Sequence, residues 1–432
     1  MNGCQSKKFA VMLAASAFCY VASAVSYYHW NVVTTGGNLD DPQNWKENRV
    51  PTNDISNVMV ELYKAQSNPL TLQADMKTGS IYVYGMSGGS GNPALFDLSP
   101  YTLTTKSVSG AYGLTFGGST YYSPGKIKLV SGNIDSPIIA FLSSSAANGG
   151  GHYLGVDGND ATVSTGYYLF NSNNNMVEVK NGTLYGAVLT ATSSARTNNV
   201  VSISGSNAKW ITKADNSTQN IIGRGDSYNR MEILDGGTYS NLQTAVAFHV
   251  DYNESGPGGG NNSIVVRNGT FSKPQGEINV GYNGSSNSMV VTEGALVNVS
   301  NMYVGRYSVT RSASSGARTC ENSLLVSDPG TVFSASLLYI GANVTERDRL
   351  VVTNRATLTT RGALRVCGEK VVGCSAYFGP DVSLSVGGSF VLGNGGGSYG
   401  NSIVMDGTTF NKTGSSTTSI QVGNYGYGNT LT

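Results

Sequence analysis

The chain has 432 residues and a formal net charge of +1, and only 12% of its residues are charged. A surface that binds nucleic acid needs a basic patch, so this balance argues against a nucleic-acid partner. Charged residues reach about half of their usual share. Together with the 56 glycines, this polarity without charge is typical of exported β-repeat proteins.

Residues 1–24 have the features of a Sec-type signal peptide. Lys7 and Lys8 precede an apolar run over residues 9–21, and Ala22-Ser23-Ala24 offers the small residues of a cleavage site. The apolar run is too short to span a bilayer, and no other segment could do so. We therefore expect export through Sec, no transmembrane segment in this chain, and a location outside the cell or on its surface.

Residues 25–110 differ from the rest of the chain and contain two of its three tryptophans, Trp30 and Trp45. Within them, residues 56–62 are a plausible first strand. The end of a stack of strands exposes an unpaired edge unless another segment covers it. We therefore predict that residues 25–110 form an N-terminal cap with the first irregular coils, and that residues 111–174 form further irregular coils.

Through residues 175–432, one short pattern recurs roughly every 24 to 35 residues. Its clearest copies are 262–271, 287–296 and 401–410, each followed by an apolar stretch that ends in glycine. Val, Ile, Leu and Tyr fill the strand positions, and glycine lies at the bends, where it tolerates positive φ angles. No window has apolar residues at helical spacing. A fixed period of this length is typical of a repeat architecture.

One such repeat is too small to bury its own apolar side, so it must stack on its neighbours. We therefore predict an all-β fold, a parallel β-helix (β-solenoid) whose turns stack at about 4.8 Å. A chain of antiparallel hairpins is the alternative, because Asn-Gly turns suit hairpins. The variable spacing favours the solenoid, since extra residues, as in 306–321, can leave a turn as a loop.

The residue that begins each copy is usually asparagine. If these positions stack, each side-chain amide can donate to one turn and accept from the next, which would form an Asn ladder. The alternative is that asparagine merely suits a turn. Asp348 interrupts the series, and a carboxylate cannot donate, so we expect the ladder to be weakest there. The predicted ladder consists of Asn175, Asn199, Asn229, Asn262, Asn287, Asn322, Asn401 and Asn429.

Three cysteines remain once the leader is removed, namely Cys320, Cys367 and Cys374. An odd number in an oxidising compartment leaves one thiol unpaired or joined to another chain. Cys367 and Cys374 bracket a short segment between two strands and are candidates for a disulfide. A zinc site is disfavoured, because there is no Cys-x-x-Cys pair and no histidine nearby.

Arg224, Gly225 and Asp226 spell a tripeptide that resembles integrin-binding ligands. They follow a predicted strand at a position where other copies have a glycine and a loop, so we expect them to be exposed as a candidate adhesive loop. Part of this sequence is a feature of the repeat, because Gly305-Arg306 occupies the position of Gly223-Arg224 in another copy. The tripeptide can therefore also be a product of the repeat.

The sequence predicts no catalytic residue, no cofactor and no metal site. His29, His152 and His249 stand alone in the sequence, and acidic residues are scattered. Asp157 and Asp160 could bind calcium in a loop but suit a polar turn better. Residues 85–89 match the spelling of a nucleophile elbow, but a loop follows them where an elbow requires a helix.

The opening residues Trp30, Gly36-Gly37, Asn44-Trp45 and Pro51, with the repeats that follow, resemble bacterial autotransporter-type β-strand-repeat proteins. These are passenger-like surface proteins of the pectin-lyase-like β-helix class. The resemblance covers most of residues 27–432 and transfers no functional residue. It implies display at the cell surface, and at the outer membrane if a translocator follows. The sequence stops at Thr432, a few residues into another copy, so we expect a fragment of a longer protein.

Two functions follow from these patterns as hypotheses. The first is a non-enzymatic, adhesin-like or structural solenoid that contacts glycans or the surface of a host or neighbouring cell, with loops 253–260 and 306–321 offering contacts. The second is a polysaccharide-active lyase or hydrolase. Acidic residues that converge with Arg or Lys on adjacent turns would favour the enzyme. A self-assembling layer protein is a third and weaker option, suggested by the uncapped final strand.

Overall fold

A computed structural model of the chain describes residues 26–30, 37–51, 58–62, 69–84, 93–108, 112–117, 124–142, 150–190, 196–244, 247–252, 259–306, 319–414, 419–423 and 426–432. The signal peptide at 1–24, the elbow spelling at 85–89 and most of the two predicted contact loops lie outside these residues. Their predictions remain as stated above.

The described residues form β-strands and a single 3-10 turn, Pro42–Asn44. The N-terminal strands are Ser26–His29, Gly37–Asn38, Val58–Leu62, Leu70–Thr71, Met76–Lys77, Ser80–Val83, Ala94–Thr104, Leu114–Phe116, Lys126–Leu142, Tyr153–Asn171 and Met176–Thr190. The central strands are Val200–Ser204, Ala208–Thr212, Asn220–Ile222, Arg230–Leu234, Thr238–Asn241, Phe248–Tyr252, Ser263–Arg267, Thr270–Tyr282, Ser288–Thr292, Leu296–Arg306, Thr319–Cys320, Ser323–Ser327 and Val332–Ala342. The C-terminal strands are Thr345–Glu346, Arg349–Thr353, Thr357–Thr360, Leu364–Val366, Ser375–Phe378, Ser383–Val386, Phe390–Leu392, Ser402–Met405, Thr409–Lys412, Ile420–Val422 and Thr430–Leu431.

Each repeat makes one turn of a three-sided solenoid. Arg349–Thr353 lies on the first face, Thr357–Thr360 on the second and Leu364–Val366 on the third, and each pairs in parallel with the corresponding strand of the next turn. Longer strands such as Thr270–Tyr282 pass round a corner and belong to two faces. The prediction of an all-β parallel solenoid is confirmed. The hairpin alternative is wrong, because successive copies pair in parallel.

The core lies inside the three faces and follows the two-residue alternation of a strand. On the first face, Ile264 and Val266 are fully buried while Val265 between them is partly exposed. Burying one such side chain contributes about 1.5–3 kcal/mol. On the third face, the rings of Phe116 and Phe170 each stack on Phe141, with centroids 4.8 and 4.9 Å away. The apolar interior is therefore continuous from turn to turn, as the repeat pattern requires.

Gly281 and Gly305, which end third-face strands, are required by space as well as by backbone angle. Gly281 and Gly305 have φ angles of +80° and +73°, which favour glycine. A Cβ atom at Gly281 would overlap the side chain of Asn322, and one at Gly305 would overlap that of Asp348. Glycine therefore ends the Val-Gly motif because the backbone there lies close to the side chain that begins a later repeat.

In the N-terminal region, residues that follow the first strands fold back on them. The rings of Trp30 and Trp45 meet edge to face with centroids 5.0 Å apart, and both are buried. The indole N–H of Trp45 donates to the carbonyl of Leu39 at 2.9 Å, and the amide of Lys46 donates to the carbonyl of His29 at 3.0 Å. These contacts join the tryptophan segment to the solenoid. That it acts as a cap remains a prediction.

Candidate contact surface

The asparagines that begin the repeats lie one above another along an inner corner of the solenoid. From Asn175 to Asn322, each side-chain amide donates to the next asparagine Oδ1 over distances of 2.7–3.2 Å. The same Oδ1 also accepts from the backbone N–H of the preceding asparagine. All of these side chains are buried. The ladder therefore joins the turns and offers no surface to a partner.

Asp348 and Cys374 occupy the next two positions of the ladder. Asp348 Oδ1 accepts from Asn322 Nδ2 at 3.0 Å, but towards Cys374 the contact is only a thiol at 3.9 Å from Oδ2. The ladder resumes where the backbone N–H of Cys374 donates to Asn401 Oδ1 at 2.8 Å, and Asn401 Nδ2 donates to Asn429 Oδ1 at 3.0 Å. The side-chain series is thus weakest beside Asp348.

His152 holds the ladder position one turn before Asn175, which sequence reasoning missed. Its backbone N–H donates to Asn175 Oδ1 at 3.2 Å, and its Nδ1 accepts from the backbone N–H of Gly125 at 2.9 Å. Its Nε2 lies 2.9 Å from the carbonyl of Leu142. Burial lowers the pKa of His152 to about 4, so the imidazole is neutral at neutral pH and serves as an acceptor. The available signal was its place directly before a strand, which the asparagines share.

Two buried carboxyl groups lie against the ladder. Burial raises the pKa of Asp348 to about 7 despite hydrogen bonds to Asn322. Burial also raises the pKa of Asp251 to about 7, and the nearby charge of Asp226 adds to this increase. Asp251 holds the corner position that is glycine in neighbouring turns, with a φ angle of +64°. Both carboxyl groups are enclosed, so neither can reach a polysaccharide as an acid or base.

Cys367 and Cys374 are free thiols and both are buried, so the disulfide between them is not formed. Cys374 points at the carboxyl group of Asp348 in the ladder, and Cys367 holds the corner position of a glycine, with a φ angle of +80°. Burial raises the pKa of both thiols. Cys320 is also free but only half-buried.

This arrangement predicts how the thiols react. In the folded chain without residues 1–24, we expect a thiol reagent to modify Cys320 first, at least tenfold faster than Cys367 and Cys374. The reason is that the reaction requires a thiol that is both accessible and ionised. Cys367 and Cys374 are buried, and their raised pKa values keep them protonated. Mass spectrometry of timed alkylation would measure this. Equal rates at all three positions in the folded protein would contradict the prediction.

We expected the Arg224-Gly225-Asp226 tripeptide to be exposed, but only Arg224 and Gly225 are partly exposed, and the acidic end of the tripeptide is not. Asp226 is buried, with 1% of its surface exposed, and its Oδ1 accepts from the backbone N–H of Arg196 at 2.7 Å. Its carbonyl accepts from Asn262 Nδ2 at 2.7 Å. The tripeptide lies at the corner beneath the ladder, where its carboxylate has a structural role. It therefore cannot present an acidic side chain to a receptor.

Charged groups do converge on adjacent turns of the first face. Lys128 Nζ lies 2.6 Å from Asp157 Oδ2, and Asn181 Nδ2 donates to Asp157 Oδ1 at 2.9 Å. Glu178 accepts from the hydroxyl of Tyr153 at 2.8 Å and pairs with Lys180 at 3.3 Å. Hydrogen bonds from Lys128 and Asn181 lower the pKa of Asp157. A general acid needs the opposite shift.

Within the described residues, no three His, Cys, Asp or Glu side chains lie together in a way that could hold a metal ion. The same part of the chain contains no helix with the length and apolar character needed to cross a membrane. His29 Nδ1 lies within hydrogen-bond distance of Glu47 Oε1, at 2.8 Å. His249 is buried, and desolvation with the charges of Arg306 and Lys273 lowers its pKa to about 3.

Aromatic and arginine side chains line up along the outside of the third face. Tyr303, Tyr339 and Arg365 occupy the same partly exposed position on consecutive turns, and Asn279 holds this position one turn earlier but is buried. A second row, three residues further along the strand, aligns Tyr252, Tyr282 and Arg306. We call the following partly exposed residues the third-face strip: Tyr282, Tyr303, Arg306, Tyr339 and Arg365. Tyr252 precedes them in the second row but is buried.

The members of the third-face strip stack on one another. The rings of Tyr303 and Tyr339 are stacked at 5.3 Å, and Arg306 lies over Tyr303 at 4.3 Å. Arg365 lies over Tyr339 at 5.1 Å. Because these contacts cover the ring faces, a partner would meet ring edges, hydroxyl groups and guanidinium groups. This geometry suits hydrogen bonding better than stacking on a sugar face.

The charge of the strip is partly balanced. Arg306 Nη1 lies 2.6 Å from Glu277 Oε2 and 3.3 Å from Asn279 Oδ1. In the chain, Tyr252 and Arg306 directly precede the segments 253–258 and 307–318, which lie outside the described residues.

Neither a protein-family model, nor a curated protein, nor a solved structure matches the chain. The resemblance to autotransporter-type proteins therefore stays a hypothesis that depends on the sequence pattern. The fold itself is that of a parallel β-solenoid.

Proposed function

We propose that this protein is a non-enzymatic, exported β-solenoid that acts as an adhesin-like or structural element at a cell surface. Its partners are glycans or the surface of a host or neighbouring cell. The third-face strip is the observation that carries the proposal. Stacking fixes its side chains, so little conformational entropy is lost when a polar partner binds.

The chemistry of the strip supports a polar partner. Its tyrosine hydroxyl and guanidinium groups recur from turn to turn, at about 4.8 Å along the solenoid axis. Several weak hydrogen bonds arranged in this way can add up along an extended chain such as a glycan. The leader sequence supports export, since Lys7, Lys8 and the small residues at 22–24 form a signal peptide pattern.

A glycan panel would test this role. We expect the chain to bind at least one glycan, and Tyr303→Phe with Tyr339→Phe to weaken that binding about tenfold. Each lost hydrogen bond contributes about 0.5–1.5 kcal/mol, while the phenylalanine rings keep the stack. Tyr377→Phe, on the first face, is the matched control and should bind as the unchanged chain does. Absence of binding across the panel, or an equal loss in the control, would refute the assigned surface.

A polysaccharide-active enzyme is the second candidate, because Lys128, Asp157, Glu178 and Lys180 converge on adjacent turns. This arrangement is the one that would favour a lyase or hydrolase. Incubation with acidic and neutral polysaccharides, followed by measurement of new reducing ends, would detect such an activity. Activity that disappears in Asp157→Asn and Glu178→Gln would establish the enzyme and overturn the non-enzymatic proposal.

A further inference from the structure

The first face carries an apolar stripe on its outer side. Six residues occupy the same outward position on six consecutive turns, and each is partly exposed. We call them the first-face stripe: Val265, Val290, Leu325, Val351, Tyr377 and Val404. One turn earlier, the same position is Glu232, so the apolar character begins at Val265. At about 4.8 Å per turn, the stripe is about 24 Å long.

The second face of the same six turns shows that strand propensity alone does not explain the stripe. Its equivalent outward row is entirely polar, although these residues also lie in strands: Ser272, Asn298, Ser334, Thr359, Ser385 and Asn411. Strands therefore form here with either kind of residue. An apolar row confined to one face is instead typical of a surface that another molecule covers.

The pattern along the stripe is complementary to itself. Suppose that a second copy faces the first and is related to it by a two-fold axis that runs parallel to the strands, between the turns of Leu325 and Val351. The turns of the second copy then run in the opposite order, while each residue keeps its position along its strand. The axis places Val265 of one copy opposite Val404 of the other, and Val290 opposite Tyr377. Every opposed pair in this central row is apolar, so neither copy buries an unpaired charge there.

Charges at the edge of the stripe match under the same axis. Arg267 lies two residues after Val265, and Asp406 lies two residues after Val404, so the axis sets them opposite each other, twice in the pair. Both are exposed. Within one chain, Arg267 lies 3.7 Å from Glu293, and Asp406 accepts from the hydroxyl of Tyr377 at 3.4 Å. Exposed groups with such loose contacts remain available to a second copy.

We propose that two copies of this chain associate side by side through the first-face stripe, with their axes antiparallel. The contact is about 24 Å by 16 Å, taken as six turns by five strand residues, which is smaller than a standard protein interface. We therefore expect weak association, with a dissociation constant on the order of 10 µM. This inference goes beyond the proposed adhesive role, which a single chain can perform through its third face.

Sedimentation equilibrium of the chain without residues 1–24, at concentrations from about 1 to about 200 µM, tests this proposal. We expect a monomer–dimer equilibrium that Val290→Glu with Val351→Glu weakens at least tenfold. The matched control is Ser334→Glu with Thr359→Glu, which adds the same charges to the second face and should leave dimerisation unchanged. A monomer throughout this range, or an equal effect of the control, would overturn the proposal.

A charge exchange keeps the test decisive if a glutamate variant fails to fold. Arg267→Asp should weaken the dimer about fivefold, because it sets two acidic groups opposite each other. Adding Asp406→Arg should restore it, since the exchanged pair is again complementary. A dimer that is insensitive to both changes would exclude this interface. Glycan binding should be unchanged in the same variants. Measuring it therefore distinguishes a failure of the proposed dimer interface from a failure of the proposed adhesive role.

Discussion

Gly305→Ala is expected to lower the free energy of unfolding by about 3 kcal/mol. The φ angle at Gly305 is +73°, a left-handed conformation that costs an alanine about 1–2 kcal/mol. The added Cβ would also overlap the carboxyl group of Asp348, which is fully buried in the ladder. Forcing an extra group into a packed site costs about 1–3 kcal/mol more. Denaturant unfolding followed by circular dichroism would measure the change.

Gly294→Ala is the control that separates the two contributions. Gly294 has a similar φ angle of +80°, but its Cβ would meet no atom within 4 Å. We expect a loss of only about 1 kcal/mol there, from backbone strain alone. If the two variants were equally stable, the close approach of Gly305 to the ladder would be disproved.

The fold could be predicted because the residue pattern of each repeat indicates where its strands and bends lie. Apolar residues alternate within the first-face strands, as at Ile264 and Val266, and a glycine such as Gly281 or Gly305 ends many third-face strands. A unit of this size has no other way to bury its apolar side than to stack. The asparagine that begins most copies aligned different turns along one corner. The irregular spacing of the copies hid the register of the remaining positions, so the sequence did not say which of their side chains meet.

The candidate surfaces show the consequence of that missing register. The third-face strip joins Tyr303, Tyr339 and Arg365, which lie in three repeats of unequal length, so no fixed spacing connects them. The burial of Asp226 was missed for a related reason. Its corner folds beneath Asn262, which begins the second repeat after it, and only the stacked structure reveals that contact. Local turn chemistry predicted a loop where packing made a buried corner.

Asp348→Asn is expected to stabilise the protein by about 4 kcal/mol at pH 8 and to leave its stability at pH 4 nearly unchanged. The folded-state pKa of Asp348 is raised from 3.8 to about 7 by burial. Between these values the folded chain keeps a proton that the unfolded chain has lost, so the stability of the natural protein falls as pH rises. Asparagine removes this loss, because it stays neutral at both pH values.

Asparagine also completes the ladder at this position. Its Oδ1 can still accept from Asn322, as Asp348 does at 3.0 Å, and its amide can donate toward Cys374. Unfolding curves at pH 4, 6 and 8 would test the prediction, with Asp381→Asn as the control, since 67% of the Asp381 side chain is exposed. Asp251 should preserve part of the pH dependence, because burial raises its pKa to about 7 as well. If Asp348→Asn left the stability at pH 8 unchanged, the carboxyl group of Asp348 would not be the weak point of the ladder.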